Sequence, residues 1–264
     1  MDITDIYLSR IVSAEKLFKD ISKALDNADI KGISSLSEFL GSITQQTNFR
    51  VFISNEQMEQ TPANEALECI KSAVDGNENI SAEFLTDEFV NIVDENDRLT
   101  SECMPRSVVH RNGKLHPTVH IWFIRRRDMG VHVLLQKRSH EKDICPDCYD
   151  VSTAGHVTQG DEFKKTALKE IHEELGIDVP SNKLIFLGMR HSHYEFGEIH
   201  DNELVAVYIY KGDHIHHKEL TLQESEVSEV CWAEIDELIS LMKHEHIDSC
   251  FAMEELDMIK KACF

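Results

Sequence analysis

Glu170, Glu173 and Glu174 stand at i, i+3 and i+4, the spacing that puts side chains on one flank of a helix. Two readings follow. One is a solvated face, with Lys164, Lys165 and Lys169 as neighbours. The other is a site for a hard divalent cation, because clustered carboxylates suit Mg2+ or Mn2+. The helix that would carry them is legible: Phe163, Ala167 and Ile171 fall four apart as an apolar stripe, and Gly176 supplies a C-terminal cap.

Other chemistry-bearing groups are weaker signals. Cys145-Pro-Asp-Cys148 is a C-x-x-C pair, but a structural zinc needs two more ligands and no second such pair exists. The stretches His191-Ser192-His193 and His214-Ile215-His216-His217 read as adventitious metal binders. Arg125-Arg126-Arg127 reads as a solvated turn or a local phosphate-attracting patch.

The elements around the acidic helix alternate between strand and helix. Val119–Ile124 and Val131–Gln136 are rich in β-branched and aromatic residues and read as two strands joined by the polar turn RRRDMG. Further strands are expected near Tyr149–Ser152, over Leu204–Tyr210 and over Val227–Trp232, with helices over Glu234–His244 and Phe251–Cys263. In that last helix Phe251, Leu256 and Ile259 are spaced for burial. Strands and helices in this order predict an α/β sandwich over residues 84–264. Residues 1–83 read differently. Ile6, Ile11, Leu17, Ile21 and Leu25 recur at near-helical spacing, Ser34–Ile43 and Ala63–Val74 read as helices, and Asn48–Ser54 as a strand. This predicts a mostly helical accessory region.

Composition bounds the partners. The 264 residues carry 27 Lys and Arg against 48 Asp and Glu, a net charge of −21. Such a surface opposes binding to a nucleic acid polymer or an anionic membrane. Apolar residues make 41% of the chain, yet no apolar run approaches the roughly 20 residues that span a bilayer. The start MDITDIYLSR has no secretory pattern, and the seven cysteines are odd in number and scattered. A cytoplasmic protein is the expectation. A homodimer is expected on symmetry statistics alone.

The segment Gly155–Ile177 resembles the Nudix box, G-x5-E-x7-R-E-U-x-E-E-x-G-U with U a bulky aliphatic residue. Gly155, Glu170, Ile171, Glu173, Glu174, Gly176 and Ile177 match, Asp161 stands for the first Glu and Lys169 for the Arg. The resemblance implies a Nudix-type α/β/α sandwich with a mixed sheet. It also implies a hydrolase that cleaves a diphosphate linked to another moiety with Mg2+ or Mn2+. Glu170, Glu173 and Glu174 would be metal ligands, and Lys169 would stand where the box arginine orients a glutamate. Lysine keeps the charge but loses the bidentate fork.

The surroundings LHPTVHIWFI, LLQKRSHEKD, DVSTAGHV and DNELV are similar to the branch related to isopentenyl diphosphate isomerase. That branch implies a further metal site on His116, His156, Asp201 and Glu203, and substrate-diphosphate contacts from Arg138 and Lys142. The isomerases place a catalytic cysteine before the Gly-His pair, where this chain has Ala154, which carries no proton to transfer. Hydrolysis of a nucleoside diphosphate derivative or an isoprenyl-type diphosphate is therefore the leading expectation, with Glu173 or Glu203 as general base. The alternatives are isopentenyl diphosphate isomerase and an inactive Nudix module that senses a ligand.

Overall fold

The computed structural model describes residues 3–8, 48–54, 80–85 and 88–263, apart from 128–129, 143 and 159. The chain divides into two compact units, residues 1–92 with 100–112, and residues 93–99 with 113–264.

In the first unit β1 (Ile3–Leu8), β2 (Asn48–Ser54) and β3 (Ile80–Leu85) form a parallel sheet in the order β1-β2-β3. The strand expected over Asn48–Ser54 is therefore present. Ile6, expected on a helix, lies in β1, opposite Val51 of β2. Its run ITDIYL is rich in β-branched residues, and parallel pairing overrides a spacing that also fits a helix. The helices expected over Ser34–Ile43 and Ala63–Val74 lie outside the described residues. Next come β4 (Phe89–Val93), β5 (Leu99–Pro105) and α1 (Arg106–Asn112); β4 pairs with β5, and Val90, Ile92 and Val109 pack together.

The second unit is built on β6 (His116–Arg127), β7 (Gly130–Arg138), β8 (Tyr149–Asp150), β9 (Thr153–His156), β10 (Ile185–Phe196), β11 (Ile199–Lys211) and β12 (Val227–Glu234). The path is β10-β11-β6-β7-β12, with β8 on β7 and β9 on β6. β6 and β11 run parallel while β10, β7, β12, β8 and β9 pair antiparallel, so the sheet is mixed. β6 runs through Arg127 and β7 starts at Gly130, so most of the expected turn RRRDMG is strand. Arg126 is held there through its N–H on Asp213 at 3.0 Å, and Arg125 lies 4.2 Å over the Trp232 ring. The strand expected over Tyr149–Ser152 is Tyr149–Asp150 alone.

Strand alternation sends side chains to two opposite faces. Trp122, Ile124, Val205, Val207 and Ile209 pack with Ile235 and Leu238 of α3 (Ile235–Lys243) and with Leu256 and Ile259 of α4 (Met253–Cys263). Ile121, Phe123, Ala206 and Tyr208 pack on the other face with Ala167, Ile171 and Leu175 of α2 (Phe163–Leu175). The result is an α/β/α sandwich. Phe251, Leu256 and Ile259 are buried as their spacing predicts. No helix among the described residues is long and apolar enough to cross a membrane.

Candidate active site

The acidic helix α2 follows β9 and ends at Gly176, whose φ of 68° is left-handed. A side chain there would meet Thr221 as well: a Cβ would lie 2.6 Å from Thr221 Cβ. The segment after it returns to the helix end, with Thr221 N–H on Leu175 O and Gln223 N–H on Glu174 O, both at 3.1 Å. At the other end of the motif Gly155 faces Glu170. A Cβ on residue 155 would lie 2.3 Å from Glu170 Cδ, so only glycine lets this carboxylate rest against β9.

The three acids of the helix take different positions. Glu174 is buried, and Gln136 Nε2 donates to its Oε2 at 3.4 Å. Burial pushes its carboxyl up to about 8; Thr153 opposes this through a hydrogen bond, while Glu170, Glu226 and Asp150 add to it by charge. Glu173 is exposed, with Lys169 Nζ 3.6 Å from its carboxylate. A buried carboxyl among carboxylates is costly unless a cation compensates it. Glu170 and Glu174 together are the kind of carboxylate pair that suits a hard divalent cation, while Glu173 stands apart on the exposed flank; among the described residues the three do not close into one ligand group.

His116, Asp201 and Glu203 form another group, with ligand atoms within 4.8 Å of one another. Glu203 is the register partner of His116 across the parallel β6–β11 pair, and Asp201 lies two residues before it on the same face. His116 Nε2 is 3.4 Å from Asp201 Oδ1, and the His156 ring stacks on His116 with centroids 5.3 Å apart. Two histidines and two carboxylates suit a first-row divalent ion. Burial raises Glu203 to about 7, Asp201 adds to the rise, and His120 and Arg190 oppose it. Gly155 and His156 are successive residues of β9, so the two groups of candidate ligands approach opposite faces of that strand. The charge of Asp150 acts on both Glu174 and Glu203.

The two candidate diphosphate cations are already engaged. Arg138 Nη1 donates to Asp150 at 3.0 Å, and its Nε and Nη2 donate to Ile144 O at 3.1 and 2.9 Å. Lys142 pairs with Glu226. Sequence reasoning missed Gln136, Asp150 and Glu226. Asp150 sits in the DVSTAGHV segment, and Gln136 breaks an apolar strand; both were readable as oddities. It also missed Glu255 of α4, which accepts from Arg190 Nε at 2.8 Å, His120 Nδ1 at 2.9 Å and Trp122 Nε1 at 2.7 Å. Nothing local marked that residue, because its partners come from β6 and β10.

Residues 114–253 match the family described as NUDIX domain. The chain belongs to the Nudix family. It is 36% identical over 168 residues to an uncharacterized Nudix hydrolase of Clostridium acetobutylicum, covering 64% of this chain and 80% of that protein. It is 32% identical over 164 residues to Nudix hydrolase 3 of Arabidopsis thaliana, covering 61% of this chain but 21% of the plant protein. Among solved structures a Deinococcus radiodurans protein is similar at 18% identity and a TM-score of 0.48, over 64% of this chain and 96% of that one. As a Nudix hydrolase the chain acts on phosphoric anhydride bonds, and Nudix hydrolases generally use divalent metals, usually Mg2+ or Mn2+.

Proposed function

We propose that the chain is a Mg2+- or Mn2+-dependent hydrolase that cleaves the diphosphate linkage of a nucleoside diphosphate derivative or an isoprenyl-type diphosphate. The observation that carries this reading is Glu174 buried beside Glu170, with Glu170 seated against Gly155. Such a set is built to neutralise a cation rather than to face water. Glu170, Glu173 and Glu174 hold the ion, which supplies charge neutralisation for phosphate oxygens when bound. Arg138 and Lys142 orient the diphosphate. Glu203 or Glu173 takes the proton from water, and Lys169 keeps Glu173 in place across the 3.6 Å pair. His116, His156, Asp201 and Glu203 form a further ion site. Residues 1–83 are an accessory region to the hydrolase domain of residues 84–264. The substrate is a small molecule, and the protein is read as cytoplasmic and as a homodimer.

Product analysis by mass spectrometry tests this. The protein is incubated with nucleotide-sugar, dinucleotide, nucleoside triphosphate and isoprenyl diphosphate substrates, with and without Mg2+ or Mn2+. Metal-dependent cleavage of one class supports the reading and names the class. Absence of cleavage across the panel contradicts it.

The grouping of His116, Asp201 and Glu203 favours a second reading, an isopentenyl diphosphate isomerase. Ala154 weighs against it: it pairs with His120 and packs on the core beneath α3 and α4, with no proton to give. Conversion of isopentenyl diphosphate to its allylic isomer in the same panel would establish this reading instead.

A further inference from the structure

The C-x-x-C pair has a third member that its sequence does not announce. The Sγ atoms of Cys145, Cys148 and Cys250 all lie within 4.8 Å of one another, and all three residues are half-buried. The backbone builds this arrangement from both sides. Tyr149 N–H donates to Asp248 O and Cys250 N–H donates to Tyr149 O, each at 2.9 Å, in a parallel bridge between Tyr149 and Ser249. On the other side of the loop Arg138 N–H donates to Cys148 O at 2.9 Å. Within the loop Cys145 and Asp147 adopt φ values of 47° and 63°. These left-handed turns curl the chain so that both thiols point to one place, a conformation that non-glycine residues adopt only when their surroundings fix it.

Sulfur is a soft ligand, so this cluster selects differently from the carboxylates around α2. A tetrahedral zinc with Zn–S bonds of about 2.3 Å places its sulfurs about 3.8 Å apart. The separations here, all within 4.8 Å, are on that scale. Three thiolates around Zn2+ leave a net charge of −1, and Arg138 lies within electrostatic reach of Cys145 and Cys250 to balance it. We propose that Cys145, Cys148 and Cys250 form a three-thiolate zinc site whose fourth position takes water or another exogenous ligand. Binding displaces three thiol protons to solvent. The bound ion ties the loop after β7, which carries Lys142 and Ile144, to the segment leading into α4.

The full chain, purified under reductant, stripped of metal and kept anaerobic, is titrated with Co2+ and followed by absorption. The expected result is a thiolate-to-cobalt charge-transfer band with intense visible bands of a tetrahedral ion, saturating at one equivalent and displaced by one equivalent of Zn2+. Cys250→Ser loses the band, while Glu174→Gln keeps it, because carboxylates cannot produce a sulfur charge transfer. No band in the wild type, or an unchanged band in Cys250→Ser, overturns the proposal. If Cys250→Ser does not fold, the wild type decides alone. A mercurial titration then releases one zinc as three thiols react, and zinc retained after the thiols are blocked overturns the proposal. The sulfur band is read independently of hydrolysis, so this result and the proposed function stand or fall separately.

Discussion

The carboxylate of Glu170 occupies the space that a side chain on Gly155 would fill. The distance from an added Cβ to Glu170 Cδ is 2.3 Å. A strand of the sheet and a helix packed on it meet there with the Glu170 side chain between them, which fixes where one acid of the helix can rest.

Gly155→Ala is expected to displace that carboxylate while sparing the fold. The clash is with the end of a flexible side chain rather than with backbone. Melting temperature should change little. A misplacement of about 1 Å at a reacting group lowers turnover by about 100-fold. Steady-state kinetics with a thermal melt on the same sample checks the split. Equal loss of activity and stability would mean that Gly155 serves packing alone.

Metal addition should stabilise the protein through Glu174. At about one hundred times its dissociation constant a ligand adds about 2.7 kcal/mol, or about 5 to 10 °C in melting temperature for a chain of this size. Glu174→Gln is expected to abolish most of that shift, since it removes the charge of a buried ligand. A full Mg2+ or Mn2+ shift in the variant would place the ion elsewhere.

The Glu255 cluster should give the fold an alkaline limit. Burial opposes the charged form of His120, but the charge and hydrogen bond of Glu255 outweigh it and raise His120 from 6.5 to about 9. Glu255 is correspondingly held well below the usual carboxylate range, as His120, Arg190 and Trp122 outweigh its burial. A histidine raised in the folded state contributes stability that is complete below its unfolded value near 6.5 and lost as pH climbs to about 9. The lost contribution is on the order of a few kcal/mol. Denaturant unfolding across that range should show the decline, and His120→Gln should lower stability at neutral pH and flatten it. An identical slope in the variant would assign the alkaline loss to other groups.

Periodicity made the box helix legible. Phe163, Ala167 and Ile171 define a stripe, Gly176 a stop, and the structure has a helix over Phe163–Leu175 with a left-handed cap. The apolar cores of β6, β7 and β11 were legible for the same reason. β10 was not read at all. Its residues IFLGMRHSHYEF mix exposed apolar and polar side chains at the edge of the sheet, and a bulge interrupts its register between Phe186 and Gly188. Ile6 lies in a strand rather than on a helix because the short run ITDIYL, rich in β-branched residues but interrupted by Asp5, fits either period. The site divides the same way. Glu170, Glu173 and Glu174 are local and their spacing shows them. Cys250 beside Cys148, Glu255 beside His120 and Gln136 beside Glu174 are contacts between distant segments, and one-dimensional spacing carries no trace of them.

The acids of α2 are proposed to bring about hydrolysis of a phosphoric anhydride. The most direct test compares wild type with Glu173→Gln in Mg2+ on the substrate class that the panel identifies, by rapid quench and mass spectrometry. Glu173 is exposed, so the variant should fold and melt as the wild type does. Turnover is expected to fall by roughly a thousandfold or more, the scale on which loss of a positioned acid–base or charge-stabilising group acts. Turnover in Glu173→Gln equal to that of the wild type would contradict the assignment of the site.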